Sequence, residues 1–216
     1  MEQNCLGERY IGCGARAQTI ELDGTPGNAL GAYLDGADII VRGNAQDATG
    51  DTMNAGSIII HGSTGDAAGY AMRGGSIYVR DGAGYRAGIH MKAYKEKLPV
   101  IVVGDSAGSF LGEYQAGGVI VVFALDGGCP VGNFCGTGMH GGKIILRAPS
   151  VPSGISEKVL VAEANDEDKG EIRRYAEKYC EYFPEKGISA DIIMNACFYI
   201  LTPDTKNPYR QMYVCN

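Results

Sequence analysis

The sequence has little of what several functional classes require. Its 216 residues include no Trp, only three His, and an excess of acids over bases that gives a formal net charge of −6. Because a nucleic-acid binder needs clustered Lys and Arg, this balance argues against one. No apolar run approaches the roughly 18 residues of a membrane helix, and the first residues lack a signal-peptide pattern. We therefore expect a folded cytoplasmic protein with neither nucleic acid nor membrane as partner.

The cysteines and histidines do not form a metal or disulfide pattern. The seven cysteines are odd in number and include no Cys-x-x-Cys pair. Cys129 and Cys135 flank a glycine-rich loop, but two thiols make neither a zinc nor an iron–sulfur pattern. His61, His90 and His140 fall in different columns of the repeat described below, so no shared face presents them to a metal. The sequence predicts reduced thiols and no metal or cofactor bound to this chain.

Glycine is abundant and unevenly distributed. Of 33 glycines, 30 precede residue 151, and the composition changes near Pro149–Pro152. Such a change is typical of a domain boundary. We predict three parts, an N-terminal segment over 1–16, a repeat domain over 17–149 and a helical C-terminal cap over 150–216.

The repeat domain shows a unit of 19 residues. Short β-branched runs recur between glycines, and their second residues are spaced by 19, with two steps of 24. A glycine column and an apolar column run beside them, and Gln115 is the polar exception in the apolar column. The isoleucines are Ile20, Ile39, Ile58, Ile77, Ile101, Ile120 and Ile144, and the glycines are Gly31, Gly50, Gly69, Gly88, Gly112 and Gly136.

Units of this kind cannot bury an apolar face alone, so they must stack. The spacing predicts an all-β fold, a right-handed parallel β-helix of about seven 19-residue coils with a small C-terminal α-helical extension. The repeat glycines are expected at corners that need a positive φ or a close backbone approach. Gln115 is the position most expected to interrupt the stack.

Two five-residue insertions interrupt the spacing, one within 89–99 and one within 121–135. Both are expected to protrude as loops, near Lys92–Lys97 and Ala124–Val131. Regular units vary little elsewhere, so these loops are the predicted partner contacts. The residues proposed for that contact are Lys92, Tyr94, Lys95 and Lys97.

The C-terminal part has a helical period. An amphipathic helix is predicted from Asn165 to Pro184, and Ser189 can cap a second helix through about Leu201. These helices are expected to cover the end of the stack. A docking arm is the alternative, because amphipathic rings are common at interfaces. The rings in question are Tyr175, Tyr179, Tyr182, Tyr199, Tyr209 and Tyr213.

Two motifs suggest catalysis or cofactor binding but fit the repeat better. Gly104–Gly108 matches the nucleophile elbow G-x-S-x-G, and Ser106, Asp126 and His140 follow in esterase order. A serine esterase using Ser106 is therefore the less favoured alternative function, because a further repeat unit rather than a helix follows the serine. The Gly-Cys-Gly-Ala-Arg-Ala run at 12–17 resembles a dinucleotide fingerprint without the surrounding βαβ unit, and a turn is the preferred interpretation.

The columns resemble a known family. Several segments are similar to the GXGXG domain that ends the large subunit of glutamate synthase. They are Gly65–Gly69 with Met72–Gly75 after it, Gly36–Gly43 and the final Gly136–Gly142. The likeness is strong over 17–148 and loose in the C-terminal helices. The C subunit of formylmethanofuran dehydrogenase is a related alternative.

The resemblance implies a stand-alone, archaeal-type version of this third domain. In the family a glutaminase domain and an FMN-bearing domain with an iron–sulfur cluster convert glutamine and 2-oxoglutarate to glutamate. This chain would be a structural subunit without catalytic residues of its own. The implied partners are a glutaminase-type amidotransferase chain and an FMN-binding glutamate synthase chain, which would carry the FMN and the cluster. Self-association as a homo-oligomer stays open.

Overall fold

A computed structural model describes residues 3–204. Their strands and helices alternate with tight turns. The strands are β1 (Gln3–Asn4), β2 (Thr19–Asp23), β3 (Asp35–Arg42), β4 (Ala55–Ile60), β5 (Ser76–Val79), β6 (Val100–Val103), β7 (Ala116–Val122), β8 (Gly141–Arg147), β9 (Val159–Glu163) and β10 (Phe198–Pro203). The helices are α1 (Asp166–Tyr182) and α2 (Ala190–Met194), with a short 3₁₀ helix at Pro184–Lys186 between them.

The strands form one sheet in the order β1-β2-β3-β4-β5-β6-β7-β8-β10-β9. Neighbours are parallel from β1 to β8, whereas β10 is antiparallel to both β8 and β9. The predicted fold class is therefore wrong. Residues 3–204 form an α/β fold with an open, mixed, mostly parallel sheet and two helices, not an all-β right-handed parallel β-helix of about seven coils.

The physical reason is that each repeat supplies one regular strand. Elsewhere the units meet through isolated parallel bridges, such as Ala45 with Thr64 and Ala83 with Ala107, which do not extend into a second sheet. The C-terminal residues then add an antiparallel strand to the open edge of β8 and two helices to one sheet face.

The parallel register follows the isoleucine column. Ile20 pairs with Ile39, Ile39 with Ile58, and the pairing continues to Ile144. Both insertions leave this register intact because their extra residues lie outside the strands. The expectation that equivalent residues of successive units lie against each other is confirmed for this column.

The glycine column packs against the isoleucines. Gly50 has a φ of 71°, and a Cβ built on it would lie 2.5 Å from Ile77 Cδ1. Its neighbours Ala48 and Thr52 also have positive φ, at 57° and 52°, yet they are not glycines. A left-handed backbone alone therefore does not require glycine here. The column is glycine because its Cβ would point into the core, where the next isoleucine lies.

The two sheet faces contact different partners. On β4, Ile58 and Ile60 belong to the core enclosed by the repeat turns, and Ile59 belongs to a second core. That second core lies between the sheet and the helices, where Ile172 and Tyr179 of α1 are fully buried. The alternation along the strand thus lets one sheet bury both faces.

Helix α1 agrees with its predicted limits. The Asn165 side chain accepts a hydrogen bond from the Asp168 backbone, and Asp168 reciprocates in a capping box. Ser189 caps α2 as expected, but α2 ends at Met194 rather than near Leu201. Residues Phe198–Pro203 instead form β10, because the exposed edge of β8 offers backbone hydrogen bonds to an apolar, partly β-branched run. That edge is covered by a strand, and the helices lie on the sheet face. The domain boundaries at 16 and 149 remain predictions.

Gln115 does not interrupt the stack. It is fully buried, and its Nε2 donates to the carbonyls of Gly117 and Gly118 at 3.3 and 3.1 Å. These glycines lie where the register between β7 and β8 shifts. The amide therefore satisfies carbonyls that a local bulge has taken out of the ladder. Its Oε1 has no hydrogen-bond partner, which is the cost of placing an amide among methionines.

Candidate functional site

The most distinctive surface lies along the turns that carry the column glycines. For each glycine from Gly31 to Gly136, we take the residues three and two before it and one and two after it, and we call these positions the corner face. All of them are at least partly exposed except Ala29, Ala32, Thr52 and Ile89. Five of the twelve large hydrophobic side chains that are exposed within residues 3–204 lie on it. They are Tyr33, Tyr70, Tyr85, Tyr114 and Phe134, with exposed fractions of 57%, 40%, 54%, 43% and 56%.

The aromatic rings of successive turns contact each other. Phe110 stacks on Phe134 with centroids 4.9 Å apart, and His90 stacks on Tyr114 at 5.3 Å. Arg86 places its guanidinium carbon 4.7 Å from the Phe110 centroid and donates through Nε to Glu113 at 3.0 Å. The parallel register produces these two rows, since it sets equivalent side chains of neighbouring turns about 5 Å apart.

Several of these rings stand on left-handed backbone. Phe110, Phe134, Tyr114 and His90 have φ values of 63°, 63°, 53° and 56°. Bulky residues adopt this region at a cost of about 1 kcal/mol or more. Alanine occupies the same places in earlier turns, for example Ala48 with a φ of 57°. The turn thus imposes the strain in every unit, and large aromatic side chains accept it at Tyr33 and in the later units.

The corner face is acidic. Its charged residues are four carboxylates and one guanidinium, a net of −3 with His90 neutral. The carboxylates are Asp47, Asp51, Asp66 and Glu113, and the guanidinium is Arg86. Two of the carboxylates also hold the turns, because Asp47 accepts from the Asp66 backbone at 2.9 Å and Asp66 from the Tyr85 backbone at 2.8 Å.

A pocket of about 790 Å³ lies at the end of the corner face. Among its lining residues, Tyr114 and Phe134 contribute aromatic surface, and Glu157 and Lys158 contribute opposite charges. We call it the end pocket, and its remaining lining comes from Asn133, Thr137, Gly138, His140, Gly154, Ile155 and Ser156. Its volume and mixed lining fit the size range of ligand-binding pockets.

A cluster of charges lies where β4, β5 and β6 end. Lys186 of the 3₁₀ helix contacts Asp81 and Asp105 at 3.0 and 3.4 Å, and Glu185 contacts His61 at 2.7 Å. Arg80 pairs with Asp81 at 2.8 Å. Every member of this cluster has an oppositely charged or histidine partner, so its geometry serves to hold the helical segment against the sheet.

The two aspartates of this cluster have opposite pKa shifts. The Arg80 hydrogen bond, followed by Lys186, lowers the pKa of Asp81. Burial raises the pKa of Asp105, although Lys186 opposes that effect. The neighbouring Tyr179 donates its hydroxyl to the Arg80 carbonyl at 2.6 Å, and burial raises its pKa. These shifts have structural causes, desolvation and ion pairing.

The predicted partner contacts of the first insertion lie in a small loop. Lys92 and Lys95 are exposed, and Tyr94 is 53% exposed and forms a backbone bridge with Lys97. Lys97 turns back to the body, where its Nζ lies 3.7 Å from an Asp35 oxygen. The second insertion, near Ala124–Val131, exposes Asp126 to Cys129. Partner contact by either loop remains a prediction.

The structure does not assemble the esterase residues. Ser106 follows the carboxyl end of β6, whereas His140 precedes the amino end of β8, so they lie at opposite ends of parallel strands. Residues 107–115 continue through a bridge and turns into β7, without the helix an elbow requires. Asp126 accepts from the Gly128 backbone within its own loop at 3.1 Å. Gly12 and Gly14 of the dinucleotide-like run lie in a turn, as interpreted.

The described cysteines are free thiols. Cys129 is exposed and donates to the Val131 carbonyl at 3.2 Å, and Cys135 is buried with its pKa raised by desolvation to about 12. Nowhere in residues 3–204 do three or more His, Cys, Asp or Glu side chains gather as a possible metal site. In the same range, no helix is both long and apolar enough to cross a bilayer.

The tyrosines of the proposed docking arm mostly lie inside the fold. Tyr179 is fully buried, and Tyr175 and Tyr182 pack partly against the second core. Tyr199 lies within β10, and Tyr209 and Tyr213 lie outside the described residues. The corner face was missed by the sequence interpretation, although its signal was available as rings at fixed distances from the column glycines.

Comparison with known proteins identifies a family and a relative that match this chain over nearly its whole length. A family model for the GXGXG motif matches residues 2–199, which includes both the turns of the corner face and the C-terminal helices. An uncharacterized protein of Methanocaldococcus jannaschii is 44% identical over 218 aligned residues, covering 98% of this chain and 84% of the relative. Because the family match spans nearly the whole chain, the resemblance seen in the columns is confirmed, and the chain belongs to the GXGXG motif family.

Proposed function

We propose that this chain is a non-catalytic structural subunit of a glutamate synthase divided over several polypeptides. It would hold a glutaminase-type amidotransferase chain against an FMN-binding synthase chain in a cytoplasmic complex. The observation that carries the proposal is the GXGXG family match over residues 2–199, joined to the similarity of the columns to the domain that ends the synthase large subunit. In this assignment, FMN and the iron–sulfur cluster belong to the partner chains.

The architecture is suited to a fixed spacer. Seven parallel strand pairings tie β1 through β8 together, and the column isoleucines from Ile39 to Ile144 are fully buried, whereas Ile20 is partly buried. Core side chains packed this closely resist bending, so two chains bound along the sheet would keep a constant separation. The corner face adds an exposed surface through which such a chain could bind.

Reconstitution with and without this subunit tests the role. A spacer that couples two active sites should be needed for glutamate formation from glutamine and 2-oxoglutarate. It should be dispensable for glutamine hydrolysis alone and for synthesis from added ammonia. Loss of the glutamine-dependent reaction only, on omission of this chain, is the expected result. Unchanged glutamine-dependent turnover without the chain would refute the proposal.

Gentle purification of the tagged chain from its own host tests the partners. Glutaminase-type and flavin-containing chains should be retained, identified by mass spectrometry and by flavin absorbance of the pool. The same tag on an unrelated host protein is the control. Retention of molybdenum- or tungsten-enzyme chains instead would reassign the protein to the formylmethanofuran dehydrogenase branch.

A further inference from the structure

We propose that the corner face binds a basic segment of a partner protein, and that the end pocket takes an arginine side chain of that segment. The inference rests on the proposed function, since it names the surface through which the subunit would hold one of its partners. It differs from the loop contact predicted at Lys92–Lys97, which lies outside the corner face. The argument uses the exposed rings, the charge of the face and the lining of the pocket.

The exposed aromatic area is large enough to matter. An aromatic side chain has about 150–250 Å² of surface, and the five exposed rings retain 40–57% of theirs. Together they present roughly 500 Å² of aromatic surface, within the range of about 300–600 Å² of the largest apolar patch on a typical monomer, which is often functional. A standard interface buries about 800 Å² on each partner. The rings with their polar surroundings therefore supply a binding surface of ordinary size.

The charge of the face selects the partner. Four carboxylates and one guanidinium give it a net charge of −3, and the whole chain carries −6. A second copy presenting the same face would bring like charges together, which is unfavourable. A segment rich in Arg or Lys is complementary to it. The face therefore favours a basic partner over self-association.

The rings favour arginine among basic side chains. Arg86 already places its guanidinium over Phe110 at 4.7 Å, so a guanidinium fits this row of rings. The end pocket offers the same chemistry to an incoming side chain, because Phe134, Tyr114 and Glu157 are all among its lining residues. Lys158 also lines the pocket and repels a cation, so the proposed pairing is with Glu157 and the rings. Arginine combines stacking with a carboxylate hydrogen bond, which lysine does less well.

Variants in the purified complex test the surface. Phe134→Ala together with Tyr85→Ala should reduce retention of the bound partner about tenfold or more, because each removes an exposed ring contact. Ile192→Ala is the matched control, since Ile192 is 56% exposed on α2, away from the corner face. If the wild-type chain retains its partners and the double variant retains them equally, the surface assignment is wrong while the proposed function stands.

A defined probe tests the chemistry independently of any partner. Binding of hexa-arginine to the full chain is compared by calorimetry with hexa-citrulline, which has a similar shape without the charge. We expect at least tenfold tighter binding of hexa-arginine, about fivefold weakening by Phe134→Ala, about threefold weakening by Glu157→Gln and no change with Ile192→Ala. Equal binding of both peptides, or equal binding by all variants, would overturn the inference even if the complex forms.

The same measurements distinguish two other possible occupants of the corner face. A concentration-dependent dimer of the wild-type chain that Phe134→Ala abolishes would make a second copy the occupant and refute the proposal. Hexa-arginine binding that is gained only when the chain ends at Asp204 would make the chain's own residues 205–216 the occupant and refute it equally. A monomer that binds the peptide with or without those residues supports the proposal.

Discussion

Replacing Gly50 by alanine should destabilise the protein substantially. The substitution places a Cβ on backbone with a φ of 71° and 2.5 Å from Ile77 Cδ1. Left-handed backbone costs a non-glycine residue about 1–2 kcal/mol, and overpacking a filled core costs about 1–3 kcal/mol. Ile77 is fully buried, so its side chain has little room to move away. We expect a loss of about 2–5 kcal/mol in the free energy of unfolding.

Two other glycines separate the backbone cost of the substitution from its packing cost. Gly14 has a φ of 65°, and a methyl group at its Cβ position would have no neighbouring atom within 4 Å, so Gly14→Ala should show the backbone cost alone, about 1–2 kcal/mol. Gly170 lies within α1 with open space around it, so Gly170→Ala should stabilise by about 0.5–1 kcal/mol. Urea unfolding followed by circular dichroism measures all three.

A second-site change tests the named contact. Ile77→Val removes the Cδ1 atom that a Cβ at Gly50 would meet, at its own cost of about 0.5–1.5 kcal/mol. The double variant should therefore lose less stability than the sum of the two single losses, with a coupling of about 1 kcal/mol or more. Equal losses for Gly50→Ala and Gly14→Ala, or strict additivity with Ile77→Val, would refute the argument that space, and not only φ, requires this glycine.

Four further outcomes follow from the charge cluster, the second core and the thiols. Because Arg80 lowers the pKa of Asp81, Asp81 stabilises the fold above its unfolded pKa and loses that contribution as pH falls through its folded pKa. Asp81→Asn should therefore destabilise the protein at pH 7 and converge with wild type in acid. The effect should stay below about 1 kcal/mol, because the group is part-exposed. Burial raises the pKa of Asp105, so Asp105→Asn should do the reverse, stabilising at pH 7 with the difference vanishing below the unfolded pKa. Equal signs for the two variants in pH-dependent unfolding would contradict one of the two shifts. Tyr179→Phe should cost about 1–2 kcal/mol in thermal unfolding, because the Arg80 carbonyl loses its buried donor, and an unchanged midpoint would show that water replaces the hydroxyl. Iodoacetamide at pH 8 should alkylate the exposed Cys129 well before the buried Cys135, whose pKa is about 12, and mass spectrometry showing similar rates would contradict that burial.

The register of the strands was predictable because it depends on local spacing. A period of 19 residues requires that Ile39, Ile58 and Ile77 pair in parallel, and a β-branched run between glycines specifies where each strand lies. The start of α1 was predictable for the same reason, since Asn165 and Asp168 cap it through contacts only three residues apart. The candidate surface was also encoded, at fixed distances from the column glycines, but it becomes visible only when the turns lie side by side.

The sequence by itself determined the family, the repeat, the glycine column and the position of the first C-terminal helix. The tertiary structure decided that residues Phe198–Pro203 pair with β8 as a strand, that the helices cover a sheet face, and that the sheet stays open and mixed. It also decided that Ser106 and His140 lie apart and that Tyr85, Phe110 and Phe134 share one surface. The reason is physical. Hydrogen bonds within a turn and spacing within a repeat are local, whereas the competition for an unpaired strand edge depends on residues about 50 positions away along the chain.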